Sequence, residues 1–281
     1  MNKAMNFTEE LMNILPKGFF PVTNCSQEMI QLLVNSKFDQ MLFFSNGNLT
    51  FSLPFTETMS ETEKNEMIKN AAFVVKEICT GDSLQEHLRI VFMTQHDFSR
   101  ICKGYYIKLD ALGLYAVPYL FFKDGIQVQM NHFLAEKIGL TEDEIFKTAY
   151  QNLKMNATIK RLDTVILDLV HEEDLSVNYM WEKPKIQSGD VPVFIISNKE
   201  GLMGAASIIH SDVQNRLEGF YPDGYYILPS SKHECLAIDA KLQPVEELKR
   251  TVQEVNQNVV SQEEWLSDTV YVVKNHILEI A

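Results

Sequence analysis

The order of apolar and polar residues predicts two hairpins and a long helix in the first half of the chain. Apolar runs of strand length lie within residues 41–53 and 114–130, and each pair of runs is separated by a residue pair that ends in glycine. Asparagine-glycine and aspartate-glycine pairs tolerate the positive φ of tight turns. Apolar residues at helical spacing predict a helix over residues 61–78. Because Pro118 cannot donate a ladder hydrogen bond, its strand is predicted to lie at an edge or to bulge there.

Further helices are predicted from the same period and from signals at their ends. Thr141 and Glu144 form a capping box, in which a hydroxyl and a carboxylate satisfy free backbone amides at a helix start. The spacing of apolar residues predicts another helix over residues 158–170. Shorter helices are predicted at residues 8–14, 26–35 and 131–138.

The last third of the chain reads as strands interspersed with short helices. Strands are predicted at residues 192–197, 203–208, 224–228, 234–239 and 269–273, and helices at residues 212–218 and 245–257. Several of these strands are apolar on both faces, which is typical of strands covered on both sides.

These elements predict an α+β fold of two subdomains, with mixed or antiparallel sheets built from hairpins and layered with helices. Residues 172–190 break every period and contain proline and glycine, so they are predicted to be a linker. The N-terminal α+β subdomain then covers residues 1–171, and the C-terminal one covers residues 191–281.

The composition is that of a folded, acidic protein. Of the 281 residues, 46% are hydrophobic and 22% are charged, close to the averages of globular proteins. A net charge of -13 repels phosphate backbones, so broad nucleic-acid binding is not expected. The four cysteines stand far apart, which indicates reduced thiols.

Neither a membrane span nor a targeting segment is predicted. No window approaches the roughly 18 uninterrupted apolar residues that a spanning helix needs. The first ten residues lack the apolar core of a signal peptide and include two acids. We therefore expect a cytoplasmic protein without a membrane partner.

Cofactor and metal signatures are missing from the sequence. It contains neither Walker spacing nor a GxGxxG after a predicted strand, so no nucleotide cofactor is expected. The run of residues 171–174, His-Glu-Glu-Asp, offers metal donors, but adjacent residues at a helix end seldom converge on one ion. A solvated acidic helix end is the favoured interpretation, and no metal is predicted.

The residues that could carry chemistry gather in the segment Pro229–Glu234, called here the Pro229–Glu234 turn. Ser230, Ser231, His233 and Glu234 supply a nucleophile, a base and an acid, so a hydrolase using Ser230 or Ser231 with His233 is one hypothesis. Consecutive strand residues point to opposite faces, so Glu234 is not expected to orient His233. The Gly-x-Ser-x-Gly elbow of α/β hydrolases is also missing.

Two non-catalytic interpretations explain the same segment. In the structural one, Pro229 presets a turn whose two serines bond backbone amides at the strand end. In the other, the segment contacts a partner or ligand, with Phe220, Tyr221, Ser231 and His233 as binding candidates. Core packing is the ordinary interpretation of the aromatic clusters in this chain, and Phe220 and Tyr221, in a predicted loop, are the better candidates for exposed recognition.

Four motifs resemble those of a known family. They are Ser197-Asn198-Lys199, Gly204-Ala205-Ala206, the segment Ile227–Glu234 and Leu266–Tyr271. Their residues are similar to those of a family of uncharacterised bacterial proteins that is classified as a domain of unknown function. That family has threonine where this chain has Ser197. Residues 131–153 also look like that family's helix pair. The resemblance implies membership and transfers no activity.

Taken together, the residues favour a non-enzymatic binding protein. An ordered, acidic chain without a reaction signature is expected to act on a protein partner or a small ligand, contacted near the Pro229–Glu234 turn. Hydrolysis by Ser230 or Ser231 with His233 is the alternative.

Overall fold

The structure is a computed structural model that describes most of the chain. It covers residues 3–21, 40–46, 50–80, 84–102, 104–122, 126–165, 192–262 and 264–281. The helix predicted at residues 26–35, the tips of both predicted hairpins and the predicted linker lie outside the described residues.

Helices and antiparallel hairpins alternate along the described chain. The α-helices are α1 (Lys3–Ile14), α2 (Glu61–Thr80), α3 (Gln95–Ile101), α4 (His132–Ile138), α5 (Glu142–Asn156), α6 (Ser211–Glu218) and α7 (Val245–Asn258), with 3-10 helices at Leu84–His87 and Gly204–Ile209. The strands are β1 (Phe20–Pro21), β2 (Gln40–Ser45), β3 (Thr50–Phe55), β4 (Leu88–Met93), β5 (Ile107–Leu109), β6 (Leu114–Phe121), β7 (Gln127–Gln129), β8 (Ala157–Arg161), β9 (Phe194–Asn198), β10 (Tyr225–Pro229), β11 (Cys235–Asp239), β12 (Tyr271–Lys274) and β13 (Ile277–Ile280). The predicted α+β class is confirmed.

The described strands form three sheets. The first has the order β1-β2-β3, and the second has the order β4-β6-β5 with β7 also paired to β6. The third is a six-stranded sheet of order β13-β12-β10-β11-β9-β8. The strands β10 and β11 lie at the centre of this sheet and form a hairpin. The Pro229–Glu234 turn joins them, so it sits at one end of the two central strands.

Two compact units divide the chain. One lies within Met1–Ile90, His96–Tyr106 and Val117–Ala149, and the other lies within Val91–Gln95, Ile107–Ala116 and Tyr150–Ala281. The strand β8 pairs with β9 along five residues, from Ala157↔Asn198 to Arg161↔Phe194. Residues 150–165 therefore group with the C-terminal strands, ahead of the predicted linker.

The helix predicted over residues 158–170 is wrong at its start. Residues up to Arg161 form β8, and residues 162–165 are helical. Thr158 and Ile159 are β-branched and fit a pleated sheet well. The partner strand β9 lies more than thirty residues away in the sequence, so local spacing carries no sign of this pairing.

The strand predicted over residues 203–208 is also wrong, because Gly204–Ile209 is a 3-10 helix whose first five residues are buried. Its first two amides donate to carbonyls of the Pro229–Glu234 turn, Gly204 N–H to His233 O at 3.1 Å and Ala205 N–H to Lys232 O at 3.2 Å. These two hydrogen bonds take the place of the backbone hydrogen bonds that would pair a strand with its neighbour.

The predicted edge position of Pro118 is wrong as well, since β6 lies between β4 and β5 and also pairs with β7. The alternative of a bulge at Pro118 stays a prediction. Pro118 lies between the residues that pair with β5 and those that pair with β7. Its carbonyl accepts from Met130 N–H at 3.0 Å. Since proline has no N–H, Pro118 cannot donate a hydrogen bond to Met130 O in return. The backbone of Gly104 lies against Met130 O instead, so close that a Cβ built on Gly104 would lie 1.8 Å from that oxygen.

The predicted capping box at the start of α5 is confirmed. The backbone N–H and hydroxyl of Thr141 donate to Glu144 Oε2 at 2.9 and 2.8 Å, and Glu144 N–H donates to Thr141 Oγ1 at 3.4 Å. Ser60 and Glu63 form a second box at the start of α2 that the sequence analysis overlooked.

Aromatic side chains fill one face of the six-stranded sheet. The ring of Tyr221 lies 5.9 Å from that of Phe194 and 5.6 Å from that of Tyr225. The Tyr221 hydroxyl donates to the carbonyls of Pro192 and Ala237, the latter at 3.1 Å. The Tyr225 hydroxyl is buried, and none of the described residues gives it a hydrogen-bond partner. Two neighbouring buried tyrosines therefore differ in whether their hydroxyls are bonded.

This difference predicts opposite outcomes for two matched substitutions. Tyr221→Phe is expected to lower the free energy of unfolding by about 1–2 kcal/mol, because two buried carbonyls lose a donor. Tyr225→Phe is expected to leave it unchanged or to raise it slightly, because the substitution removes a buried hydroxyl that has no partner. Urea unfolding followed by circular dichroism measures both. Equal losses in the two variants would contradict the assignment.

Candidate functional site

The Pro229–Glu234 turn is closed by its own backbone and by one serine. The N–H groups of Ser230 and Ser231 both donate to Glu234 O, at 3.2 and 3.1 Å. Ser231 Oγ accepts from His233 N–H at 3.0 Å. This is the hydroxyl-capped turn of the structural interpretation, in which a serine satisfies an amide freed at a strand end.

Three other segments bind the same turn. Ser197, at the end of β9, donates its hydroxyl to His233 O at 2.7 Å, and Gly204 N–H reaches the same carbonyl. On the other side, Lys232 N–H donates to Glu264 O at 2.8 Å. The turn is thus held by the end of β9, by the 3-10 helix that starts at Gly204 and by the loop that contains Glu264.

The loop between β9 and that 3-10 helix is shaped by Asn198 and Met203. The Asn198 side chain donates to Leu202 O at 2.7 Å and accepts from Leu202 N–H at 3.1 Å, which closes the loop. Met203 adopts a left-handed conformation with φ 55°. A residue other than glycine is uncommon there, and this geometry directs Met203 N–H to His233 Nδ1 at 3.0 Å.

The contact with Met203 decides where His233 carries its proton. Because Nδ1 accepts a hydrogen bond, the neutral ring holds its hydrogen on Nε2. That nitrogen lies 3.9 Å from Glu264 Oε1, and the two side chains are 21% and 33% exposed. Burial lowers the pKa of His233, with Glu264 opposing the shift and Lys232 adding to it. At neutral pH the turn therefore presents an N–H donor beside a carboxylate.

Glu234 behaves as a separate group. Burial raises the pKa of its half-buried carboxyl, and Lys160 opposes that shift. Its backbone carbonyl closes the turn as described. The carboxylate found near the His233 ring belongs to Glu264. Because β11 begins at Cys235, His233 and Glu234 lie in the turn and not in the strand.

The two aromatic binding candidates are buried to different degrees. Tyr221 is 1% exposed, so the predicted exposure of its side chain is wrong. Phe220 is half-buried, with its ring 4.8 Å from that of Phe194. The backbone N–H groups of Phe220 and Tyr221 donate to Leu217 O at the end of α6, which ties this loop to the helix.

Sequence reasoning missed Met203 and Glu264, which define the environment of the His233 ring. Each lies about thirty residues from His233, and neither has a local signal. Ser197 and Gly204 belong to the motifs quoted for the family resemblance, and both contact the turn directly.

The described residues hold no group of three or more histidine, cysteine, aspartate and glutamate side chains that could bind a metal ion. Residues 171–174 lie outside the part that the structure describes. Cys102 and Cys235 are free thiols. In the portion of the chain that the structure covers, every helix is too short or too polar to cross a membrane.

Comparison with known proteins identifies one related group. A family model described as a family of unknown function, DUF5688, matches residues 120–274, which is more than half of the chain. The matched region contains the Pro229–Glu234 turn and the segments that bind it. Neither a curated protein nor a solved structure gave a match.

Proposed function

The chain belongs to this family of unknown function, and we propose that it is a binding protein whose Pro229–Glu234 turn holds a primary carboxamide group. The side chains of glutamine and asparagine in a peptide carry this group, and so does free glutamine. The observation behind the proposal is the pairing of His233 Nε2 with Glu264 Oε1, 3.9 Å apart at the surface.

The chemistry of that pair matches an amide. A primary carboxamide carries a carbonyl acceptor and an N–H donor on the same side of one planar group. His233 Nε2–H supplies the matching donor, and Glu264 supplies the matching acceptor. A carboxylate ligand would be repelled by the negative charge of Glu264. An ammonium ligand has only N–H donors, so it could not accept the hydrogen bond of His233 Nε2–H. The amide satisfies both groups at once.

The surroundings of the pair hold the His233 ring and the Glu264 backbone in place without a ligand. His233 is fixed at Nδ1 by Met203 and at its carbonyl by Ser197 and Gly204. The backbone of Glu264 is tied to Lys232. A donor that is already oriented, beside an acceptor whose backbone is held, loses little conformational freedom when a ligand binds, which favours affinity.

The same bonds speak against the alternative hydrolase using Ser230 or Ser231 with His233. A general base must accept the proton of the serine hydroxyl. His233 Nδ1 accepts from Met203 instead, and Nε2 carries a hydrogen in the neutral ring. Ser231 Oγ accepts from the backbone N–H of His233. These contacts support a turn that binds over one that cleaves.

Nuclear magnetic resonance titration of the full chain tests the proposal. Acetyl-glutamine methylamide is the peptide-like probe, free glutamine is the small-molecule probe, and acetyl-glutamate methylamide is the charged analogue. We expect the glutamine probes to shift the amide signals of residues 231–234 and 264 with millimolar affinity. His233→Asn keeps an acceptor for Met203 N–H but loses the Nε2–H donor, so it is expected to weaken binding about tenfold.

Matched substitutions complete the test. Glu264→Ala, which removes the acceptor, is expected to weaken binding to a similar degree, whereas Glu254→Ala, on an exposed position of α7, is expected to leave it unchanged. Stronger binding of the peptide-like probe than of free glutamine would indicate a peptide partner. Equal binding of the glutamate analogue would contradict the proposal, as would no shift at about 50 mM probe. Ester hydrolysis that His233→Asn and Ser231→Ala both abolish would establish the alternative.

A further inference from the structure

A surface cleft lies in the other compact unit, at the connection between α4 and α5. It has a volume of about 380 Å³, within the range of about 300–1,000 Å³ that is usual for small-molecule sites. Seven residues line it: Tyr105, His132, Ala135, Glu136, Gly139, Leu140 and Thr141. One wall is the loop that carries Tyr105, and the other is formed by α4 and the start of α5.

Both walls are fixed by local backbone contacts. Gly104 lies directly against Met130 O, an approach that a side chain at residue 104 would prevent. Asn131 caps α4 by accepting from Leu134 N–H at 3.0 Å. Gly139 ends α4 in a left-handed conformation with φ 67°. The loop and the helix connection therefore hold a defined shape around the cleft.

An aromatic pair lies in the lining of the cleft. Tyr105 OH and His132 Nδ1 are joined by a hydrogen bond of 2.8 Å, and the two rings meet edge to face with centroids 4.7 Å apart. The bond locks the tyrosine ring in the wall of the cleft. The negative face of such a ring attracts cations.

The charges around the ring are negative. Glu136 lies in the wall of the cleft, and Glu142 begins α5 beside it. The pKa of Tyr105 is raised, first by burial and then by the charges of Glu142 and Glu136. The nearby cation Lys137 has its Nζ over the Phe133 ring, 5.8 Å from the centroid. The potential in the cleft therefore favours a positive ligand.

We propose that this cleft binds a small organic ammonium ion, with its charge against the Tyr105 ring and the Glu136 carboxylate. An aromatic face and a carboxylate together attract a bulky organic cation through electrostatic contacts that water alone does not provide. The volume accommodates an alkylammonium group but not a folded polypeptide. This site is separate from the Pro229–Glu234 turn and does not depend on the function proposed for it.

Tetramethylammonium is the probe for a direct test on the full chain, and tert-butanol is its uncharged analogue of similar shape. Tetramethylammonium is expected to shift the amide signals of residues 104, 139 and 140 with millimolar affinity, and tert-butanol is expected to bind at least about tenfold more weakly. Tyr105→Ala is expected to weaken binding about tenfold, while Tyr105→Phe keeps the aromatic face and most of the affinity.

Charge variants separate a specific site from general attraction to an acidic protein. Glu136→Gln is expected to weaken binding about threefold or more, while Asp143→Asn, which removes an exposed charge from α5, changes it less than about twofold. Equal effects of these two substitutions would overturn the proposal. It would also be overturned by equal binding of tert-butanol, or by no shift at about 50 mM tetramethylammonium. The circular dichroism spectrum of each variant confirms that it folds.

Discussion

Replacing Gly204 with alanine is expected to lower the free energy of unfolding by about 3 kcal/mol or more, because the new Cβ would overlap backbone atoms. That Cβ would lie 2.5 Å from Asn198 N and from Ser197 Oγ, and 2.8 Å from His233 O. Relief of the overlap would separate the 3-10 helix from the Pro229–Glu234 turn and break the bond from Gly204 N–H to His233 O. Chemical unfolding at neutral pH measures the loss.

Gly201 provides the matched control in the same loop. It has φ 63°, a conformation that favours glycine, but a Cβ there would meet no atom within 4 Å. Gly201→Ala is therefore expected to cost only about 1 kcal/mol, from backbone strain alone. If both variants lost the same free energy, the close contact at Gly204 would not be the cause.

Acid is expected to destabilise the protein through the buried His210 and the half-buried His233. Burial lowers the pKa of His210 and of His233 from the ordinary value of 6.5. Both rings accept a backbone N–H at Nδ1, from Asp212 at 3.1 Å and from Met203 at 3.0 Å. A proton on Nδ1 would turn each acceptor into a donor that faces another donor. The folded state therefore resists protonation of both rings.

The direction of the pH effect follows from proton uptake. As pH falls below about 6.5, histidines in the unfolded chain bind protons that the folded chain does not yet take up. The free energy of unfolding is thus highest above pH 6.5 and falls below it, by up to about 1.4 kcal/mol per pH unit for each histidine. The loss continues until the lowered pKa values of the folded state are reached.

Asparagine at both positions tests this cause. The double variant His210→Asn, His233→Asn keeps a side-chain acceptor for each backbone N–H but cannot be protonated in this range, and asparagine is a favourable N-cap for α6. Urea unfolding between pH 7 and pH 5 is expected to show a smaller loss in the double variant than in the natural chain. Glu234, whose raised pKa acts in the opposite direction, is present in both proteins and cancels. Parallel pH profiles would exclude the histidines as the cause.

Local signals in the sequence identified the elements whose partners are close along the chain. The capping box of Thr141 and Glu144 formed because both groups lie within one helical turn. The hairpin of β10 and β11 also followed from local spacing, with a short proline turn between two apolar runs. In such cases the favourable contacts involve neighbouring residues, so the pattern itself contains the information.

Local sequence patterns gave wrong predictions where the hydrogen-bond partner that determines the structure lies far away in the sequence. The helical spacing of apolar side chains that begins at Leu162 was extended back over residues 158–161, yet pairing with β9 made those residues a strand. Residues 204–208 are small and apolar, as in a buried strand, but their amides found the carbonyls of the Pro229–Glu234 turn. Hydrogen bonds to a strand or a carbonyl from a distant part of the chain outweigh the modest preferences of single residues for helix or strand.

By itself the sequence determined an acidic α+β chain and located the residue types of the Pro229–Glu234 turn. Only the tertiary structure decided what these residues do. Ser231 bonds a backbone amide, His233 carries its proton on Nε2 because Met203 occupies Nδ1, and Glu264 supplies the nearby carboxylate. The physical reason is that the direction of a hydrogen bond, and with it the proton position on a histidine, depends on groups that only folding brings together.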